Sequence, residues 1–358
     1  MAKTKKINLA LQGGGAHGAY TWGVLDRLIE ETDVEIESLS GTSAGAINAA
    51  LLADGWVKNG VEGAKENLEF FWRRTAEIAR MTPLHAFAAN PFGVFNLDES
   101  PFFQWHQTLS MIYSPYVTNP IGYNPLRDIL QQTINLEHVH ECNCFKLFIA
   151  ATRVSDGKPK VFVNEEVTID ALMASSCLPY MHHAVEINGE EYWDGGFTGN
   201  PVLWPIVYNC DSNDIMIVQI NPIKRSTDYP RSGSEIMSRM QEISFNASLI
   251  AEIRAIHFVH KLLDQGKLNP DEYRYMNLHM IERPMEMRKL NGTSKFNVTW
   301  EFFEYLHGLG REACEDWLAQ NKSKIGKSSS FDFAEIFLKT PDLNMMKSKK
   351  GQSDKTAA

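Results

Sequence analysis

The feature that most constrains this chain is a pair of glycine-punctuated turns, each set between a short apolar run and a helical pattern, all within residues 7–52. Residues 7–11 (Ile-Asn-Leu-Ala-Leu) read as a strand buried on both faces. Six residues, Gly13-Gly14-Gly15-Ala16-His17-Gly18, break it, and residues 19–29 follow with Val24, Leu25 and Leu28 at helical spacing. Residues 36–40 form a second strand, Gly41-Thr42-Ser43-Ala44-Gly45 the second turn, and residues 44–52 a small-residue helix. Two such units in succession predict an α/β fold: three layers, with a mainly parallel central sheet flanked by helices.

Downstream, residues 145–151, 161–163, 214–220 and 275–281 read as further strands. Residues 184–187 and 190–193 form a hairpin, because Asn188-Gly189 suits a type I′ turn. Residues 127–134 and 169–176 read as helices. Residues 236–263 form a longer one, with Ile236, Met240, Ile243, Ala247 and Ile250 on one stripe. After Pro284, residues 300–319 form an amphipathic helix carrying Phe303, Leu306, Leu309, Ala313 and Trp317. Between residues 84 and 125 the pattern dissolves: 42 residues hold nine aromatics and five prolines, and the prolines deny the segment long regular elements. The expected organisation is a main domain over residues 1–283, with 84–125 as an insertion. A helical extension follows over 284–345 and a disordered tail over 346–358.

Charge and cysteine content exclude some functions. A formal net charge of −9 argues against a nucleic-acid partner, which would require a basic face. Five cysteines, of which only Cys142 and Cys144 lie close together, suggest reduced thiols and a cytoplasmic setting. No apolar run approaches the ~20 residues of a membrane span. An acidic chain can still dock on a membrane or lipid surface through an apolar patch.

The two turns carry the chemistry. Gly41-Thr42-Ser43-Ala44-Gly45 is a G-x-S-x-G turn from strand to helix, which lifts a serine hydroxyl above the sheet edge. The helix that follows points free N–H groups and partial positive charge at the site, favouring a developing oxyanion. The first turn has two readings. Gly13, Gly15 and Gly18 fit the dinucleotide fingerprint, with Glu35 or Glu37 as the acid that would hold a ribose. The same glycines also suit an anion nest beside Ser43. Asp194, ahead of Gly195-Gly196, could accept the Ser43 proton, although a free aspartate pKa near ~4 makes a weak base. The later histidines His257, His260, His279 and His307 lie in helix or strand patterns rather than in glycine-framed turns, which suits packing better than catalysis.

In that order, residues 13–18, 41–45 and 194–196 resemble the patatin-like phospholipases, serine acyl hydrolases with a Ser–Asp dyad and no catalytic histidine. Residues 174–179 (Ala-Ser-Ser-Cys-Leu-Pro) resemble the family's serine-to-proline element, and the likeness runs over roughly residues 5–220. It implies Ser43 as nucleophile, Asp194 as general base, Gly13, Gly14, Gly15 and Gly18 as the oxyanion loop, and Gly41 and Gly45 as the frame of the elbow. It implies hydrolysis of fatty-acyl esters at a lipid or membrane surface, with no cofactor and no metal; residues 1–283 are then the expected catalytic domain, and the aromatic-rich 84–125 its expected lid or acyl-binding insertion. His17 stands where the family often has arginine, so the charge at this loop is expected to vary with pH. Two other functions fit the residues: a dinucleotide-binding oxidoreductase using the first turn, and a catalytically idle scaffold of the same fold.

Overall fold

In the computed structural model, which describes residues 4–81, 95–98, 100–225 and 230–339, the chain builds one eight-stranded sheet. Its strands are β1 (Lys5–Leu11), β2 (Val34–Thr42), β3 (Lys146–Arg153), β4 (Pro159–Val163), β5 (Val185–Ile187), β6 (Glu190–Asp194), β7 (Asp214–Val218) and β8 (Asn277–Ile281). The order across the sheet is β5-β6-β3-β2-β1-β7-β8, with β4 also paired to β3. The β3-β2-β1-β7-β8 block is parallel, whereas β4 and β6 run antiparallel to β3. The expected three-layer α/β architecture is therefore present, including the Asn188-Gly189 hairpin between β5 and β6.

Alternation along the strands distributes the side chains between two cores. Leu9, Leu11, Leu39, Ile149 and Val218 face one side, where they meet helices α1 (Gly18–Leu28) and α2 (Ala44–Arg80). Ala10, Phe148, Ile215, Ile217 and Leu278 face the other and meet the long helix Gly233–Asp264. Between these in sequence come α3 (Pro101–Ile112) and α4 (Ile169–Ser175), then α5 (Gly233–Asp264) and α6 (Trp300–Asn321). Helix α6 packs along α1 and buries Phe302, Phe303 and Leu306 in the first core. No helix of the described residues is long and apolar enough to cross a membrane.

Several expectations need correction. The small-residue helix after Ser43 does not stop near Leu52 but continues to Arg80, with a break in helical geometry at Asn59–Gly60. The proline-rich segment holds a twelve-residue helix, α3: Pro101 occupies its first turn, where no N–H is needed, and the Ser100 hydroxyl caps it. Within that segment Phe95, half-buried, packs on Phe302 of the first core, and Phe103 is buried against Phe296 in a small separate cluster. Phe87 and Phe92 lie outside the described residues, as does the tail over 346–358. The stripe expected on α5 is not its core side: Ile236, Met240 and Ile243 are exposed, while Phe245, Leu249 and Ile253 are buried. Cys142 and Cys144 form a disulfide; Cys177, Cys210 and Cys314 are free and buried. The expectation of five reduced thiols fails at that pair, which a turn after the helix Leu136–Glu141 brings together.

Candidate active site

Strand register brings the three motifs to one edge of the sheet. Leu11 of β1 pairs with Gly41 of β2, so both glycine-framed turns leave the sheet at the same level. Thr42 pairs with Ala150 of β3, and the next residue, Ala151, pairs with Asp194 of β6. Because β6 runs antiparallel to β3, its last residue arrives where β2 ends. Asp194 and Ser43 consequently line the same cavity.

Ser43 has φ 53° and ψ −123°, a backbone conformation that an L-residue adopts only under constraint, at about 1–3 kcal/mol. The constraint is a chain of hydrogen bonds. The Ser43 amide donates to Ser175 Oγ at 2.8 Å, Ser175 Oγ donates to the Ala150 carbonyl at 2.6 Å, and Thr42 Oγ1 donates to the Gly199 carbonyl at 2.6 Å. Gly45, in the first turn of α2, lies so close to the Leu11 carbonyl that a Cβ there would fall 2.3 Å from that oxygen. Among the described residues no side chain caps α2, which leaves its first amides directed at the site.

Asp194 is buried, and burial pushes its carboxyl up to about 6. The Gly196 amide at 2.7 Å, the neighbouring Ser43 hydroxyl and the charge of Lys295 oppose that rise. The weak base expected from a free aspartate is thereby brought much nearer to neutrality.

The glycine loop is pinned from below. Gly13 donates its amide to Asn200 Oδ1 at 2.6 Å, and its carbonyl accepts from Asn221 Nδ2 at 2.9 Å. Among the described residues the amides of Gly14 and Gly15 have no protein acceptor, and both glycines line the cavity. Gly15 has φ +57° and lies under the Lys295 carbonyl, 2.6 Å from where its Cβ would stand. Gly18 opens α1 against Ala44, and Gly41 is the penultimate residue of β2. His17 turns away from the cavity: its Nε2 pairs with Ser294 Oγ at 2.8 Å. Burial, with the charges of Lys295 and Arg225, holds it well below 6.5, so the ring is neutral and the expected pH-dependent charge is not at this residue.

Among the described residues, the Lys or Arg lining the cavity is Lys295, which the sequence reading missed because no local motif surrounds it. Its buried ammonium donates to Asn221 Oδ1 at 2.7 Å and lies 5.7 Å from the centre of the Phe245 ring. Burial pushes it down to about 8. Asn200 and Asn221, part of the polar scaffold of the site, were missed for the same reason, whereas Ser175 lies in the 174–179 element, whose local pattern does not show what its hydroxyl touches.

The cavity occupies about 300 Å3 and is walled largely by apolar groups, among them Ile47, Phe71, Trp72, Leu126, Met181 and Phe303. A second cavity of about 320 Å3 shares Leu178, Met181, Gln241 and Phe296 with it. The late histidines all lie elsewhere. His307 pairs with Asp26 at 3.1 Å, His279 with Asp214 at 2.8 Å, His260 accepts the Met276 amide at 2.9 Å, and His257 packs on Phe333. The dinucleotide reading loses its acid. Glu35 pairs with Lys6, and Glu37 accepts the amides of Asp211 and Ser212, at the end of β2 remote from the glycine loop.

Among solved structures, VipD from Legionella pneumophila aligns at 15% identity and a TM-score of 0.36, covering 85% of this chain and 67% of that one. A chain of the heterodimeric ExoU–SpcU complex from the type III secretion system of Pseudomonas aeruginosa aligns at 15% identity and 0.33, covering 99% of this chain and 61% of that one. The type III effector protein ExoU aligns at 15% identity and 0.31, covering 88% and 53%. No curated protein matches the chain. The model of the family described as patatin-like phospholipase matches residues 9–206, more than half of the chain. That span takes in the glycine loop, the serine elbow, Ser175 and Asp194, and by it the chain belongs to the patatin-like phospholipase family.

Proposed function

We propose that the chain is a serine acyl hydrolase that cleaves fatty-acyl esters of lipids. The observation that carries this reading is the pairing of Ser43, held at φ 53°, with the buried Asp194 in one largely apolar cavity. Ser43 Oγ attacks the ester carbonyl carbon as its proton passes to Asp194. The carbonyl electron pair moves to oxygen, where the free amides of Gly14 and Gly15 and the first amides of α2 stabilise the oxyanion. Collapse expels the alcohol, which takes the proton from Asp194, and leaves an acyl-serine. Water, deprotonated by Asp194, then releases the fatty acid. Each oxyanion donor is worth about 3–4 kcal/mol of transition-state stabilisation.

The acyl chain fits the apolar walls of the first cavity. The exposed apolar side chains Ile112, Val117 and Ile121, in and just after α3, and Ile236, Met240 and Ile243 on α5 form the lipid-facing surface. Met240 also lines the second cavity. The stretch from Ile112 to Ile121 thus acts as an apolar cover at the lipid interface.

A fluorophosphonate probe tests the reading: wild-type protein is labelled and Ser43→Ala is not. Folded wild-type protein that stays unlabelled identifies a catalytically idle scaffold instead.

A further inference from the structure

Lys295 lies outside the matched span of 9–206, yet it lines the cavity that holds Ser43 and Asp194. Three contacts fix it to the glycine loop. Ser294, the residue before it, bonds His17 of that loop; its own carbonyl lies over Gly15; and Asn221 joins Lys295 Nζ to the Gly13 carbonyl. An ammonium has three donors, and a buried one is costly unless an anion faces it. Asn221 Oδ1 takes one donor at 2.7 Å, and the Phe245 ring supplies only a weak cation–π contact at 5.7 Å.

The charged groups nearby narrow the choice of anion. Glu242 is already held by Arg225 and, at 3.1 Å, by Arg239. His17 and His182 are neutral, burial holding the first well below 6.5 and pushing the second down to about 4. Burial pushes the Cys177 thiol up to about 12, so it too is neutral. Among the described residues, the charge of Lys295 acts with two carboxylates: Glu242, which those arginines already hold, and Asp194, on which no other cation acts.

We propose that Lys295 is a positioning residue of this site: it holds Asp194 as the carboxylate that receives the Ser43 proton, and remains as counter-charge when the negative charge moves to the oxyanion. This rests on the reading of Ser43 as nucleophile and Asp194 as base. The charge count balances, because one negative charge enters the step on Asp194 and one leaves it on the carbonyl oxygen. The cation does not move, so the cavity stays neutral throughout, which in an apolar enclosure lowers the barrier.

The test is the rate of fluorophosphonate labelling from about pH 5 to about pH 10 for wild type, Lys295→Met and Lys295→Arg. Asp194 titrates near about 6 and Lys295 near about 8, so the wild-type rate rises through the first value and falls through the second. In Lys295→Met the acid limb moves up by about one pH unit or more, roughly a tenfold loss between the limbs, and the two proteins converge on the alkaline side. Lys295→Arg restores the rate between the limbs and keeps it at alkaline pH, where a guanidinium stays charged. A loss in Lys295→Met by one constant factor at every pH, or a profile identical to wild type, overturns the proposal. A wild-type rate that stays flat through the alkaline range overturns it too, even if neither variant folds. Absence of labelling in wild type at every pH defeats the Ser43–Asp194 reading itself and is distinguished by that.

Discussion

Ser175 Oγ accepts a hydrogen bond from the Ser43 amide at 2.8 Å and donates one to the Ala150 carbonyl at 2.6 Å, so a buried hydroxyl on α4 holds the strained elbow to β3. Ser175→Ala leaves the Ser43 amide without its acceptor, at a cost of about 1–3 kcal/mol. It also frees Ser43 from its set position, and a displacement of that kind lowers reactivity by about a hundredfold. Thermal melts combined with fluorophosphonate labelling check both effects. A variant that labels at the wild-type rate would show that Ser175 does not position the nucleophile.

Asp194 links stability to pH with a definite sign. Its folded-state pKa of about 6 exceeds the ordinary 3.8, so between those values the folded protein binds more protons than the unfolded chain. Stability is therefore lost as pH rises through this window, and the loss is complete above about 6. Asp194→Asn removes the penalty and gains on wild type across the same window, by up to about 3 kcal/mol at its upper end. The same variant loses about 10²–10⁴ in labelling rate, the usual contribution of a general base. Denaturant melts at a series of pH values measure the first effect, and probe kinetics the second.

Contact with lipid is expected to depend on apolar groups and little on salt. The net charge of −9 gives no long-range attraction to anionic lipid, and Ile112, Val117 and Ile121 are 64–85% exposed. Replacing all three by serine lowers co-sedimentation with phosphatidylcholine vesicles while leaving the melting temperature within about 2 °C of wild type. Vesicle binding that instead falls steeply with ionic strength would assign docking to charge.

The C-terminal helix is expected to be indispensable for folding. Phe302, Phe303 and Leu306 of α6 are fully buried, in the same core as α1 and α2. Phe302→Ala costs about 3–5 kcal/mol, a large share of the 5–15 kcal/mol that holds a typical domain together. Truncation after residue 283 removes all three side chains, and Lys295 with them, and is expected to yield insoluble protein. Soluble expression of residues 1–283 with a cooperative melt would refute this.

The sequence alone determined the elements whose signals are local. Two apolar runs interrupted by glycine turns specify strand–turn–helix units, Asn188-Gly189 specifies the hairpin, and the stripe from Phe303 to Trp317 correctly marks the buried face of α6. The order of the glycine loop, the Gly41–Gly45 turn and Asp194 was enough to name the family. Periodicity shows that a helix has an apolar side but not what covers it, which is why the exposed Ile236, Met240 and Ile243 read as core. Only the tertiary structure decided that Asp194 reaches Ser43. That meeting depends on the registers of Ala151 with Asp194 and Thr42 with Ala150. Only it placed Asn200, Asn221, Ser294 and Lys295 around the glycine loop. Those contacts join residues far apart in the chain, and the energy of a buried charge or hydrogen bond depends on what surrounds it in space, which no local pattern encodes.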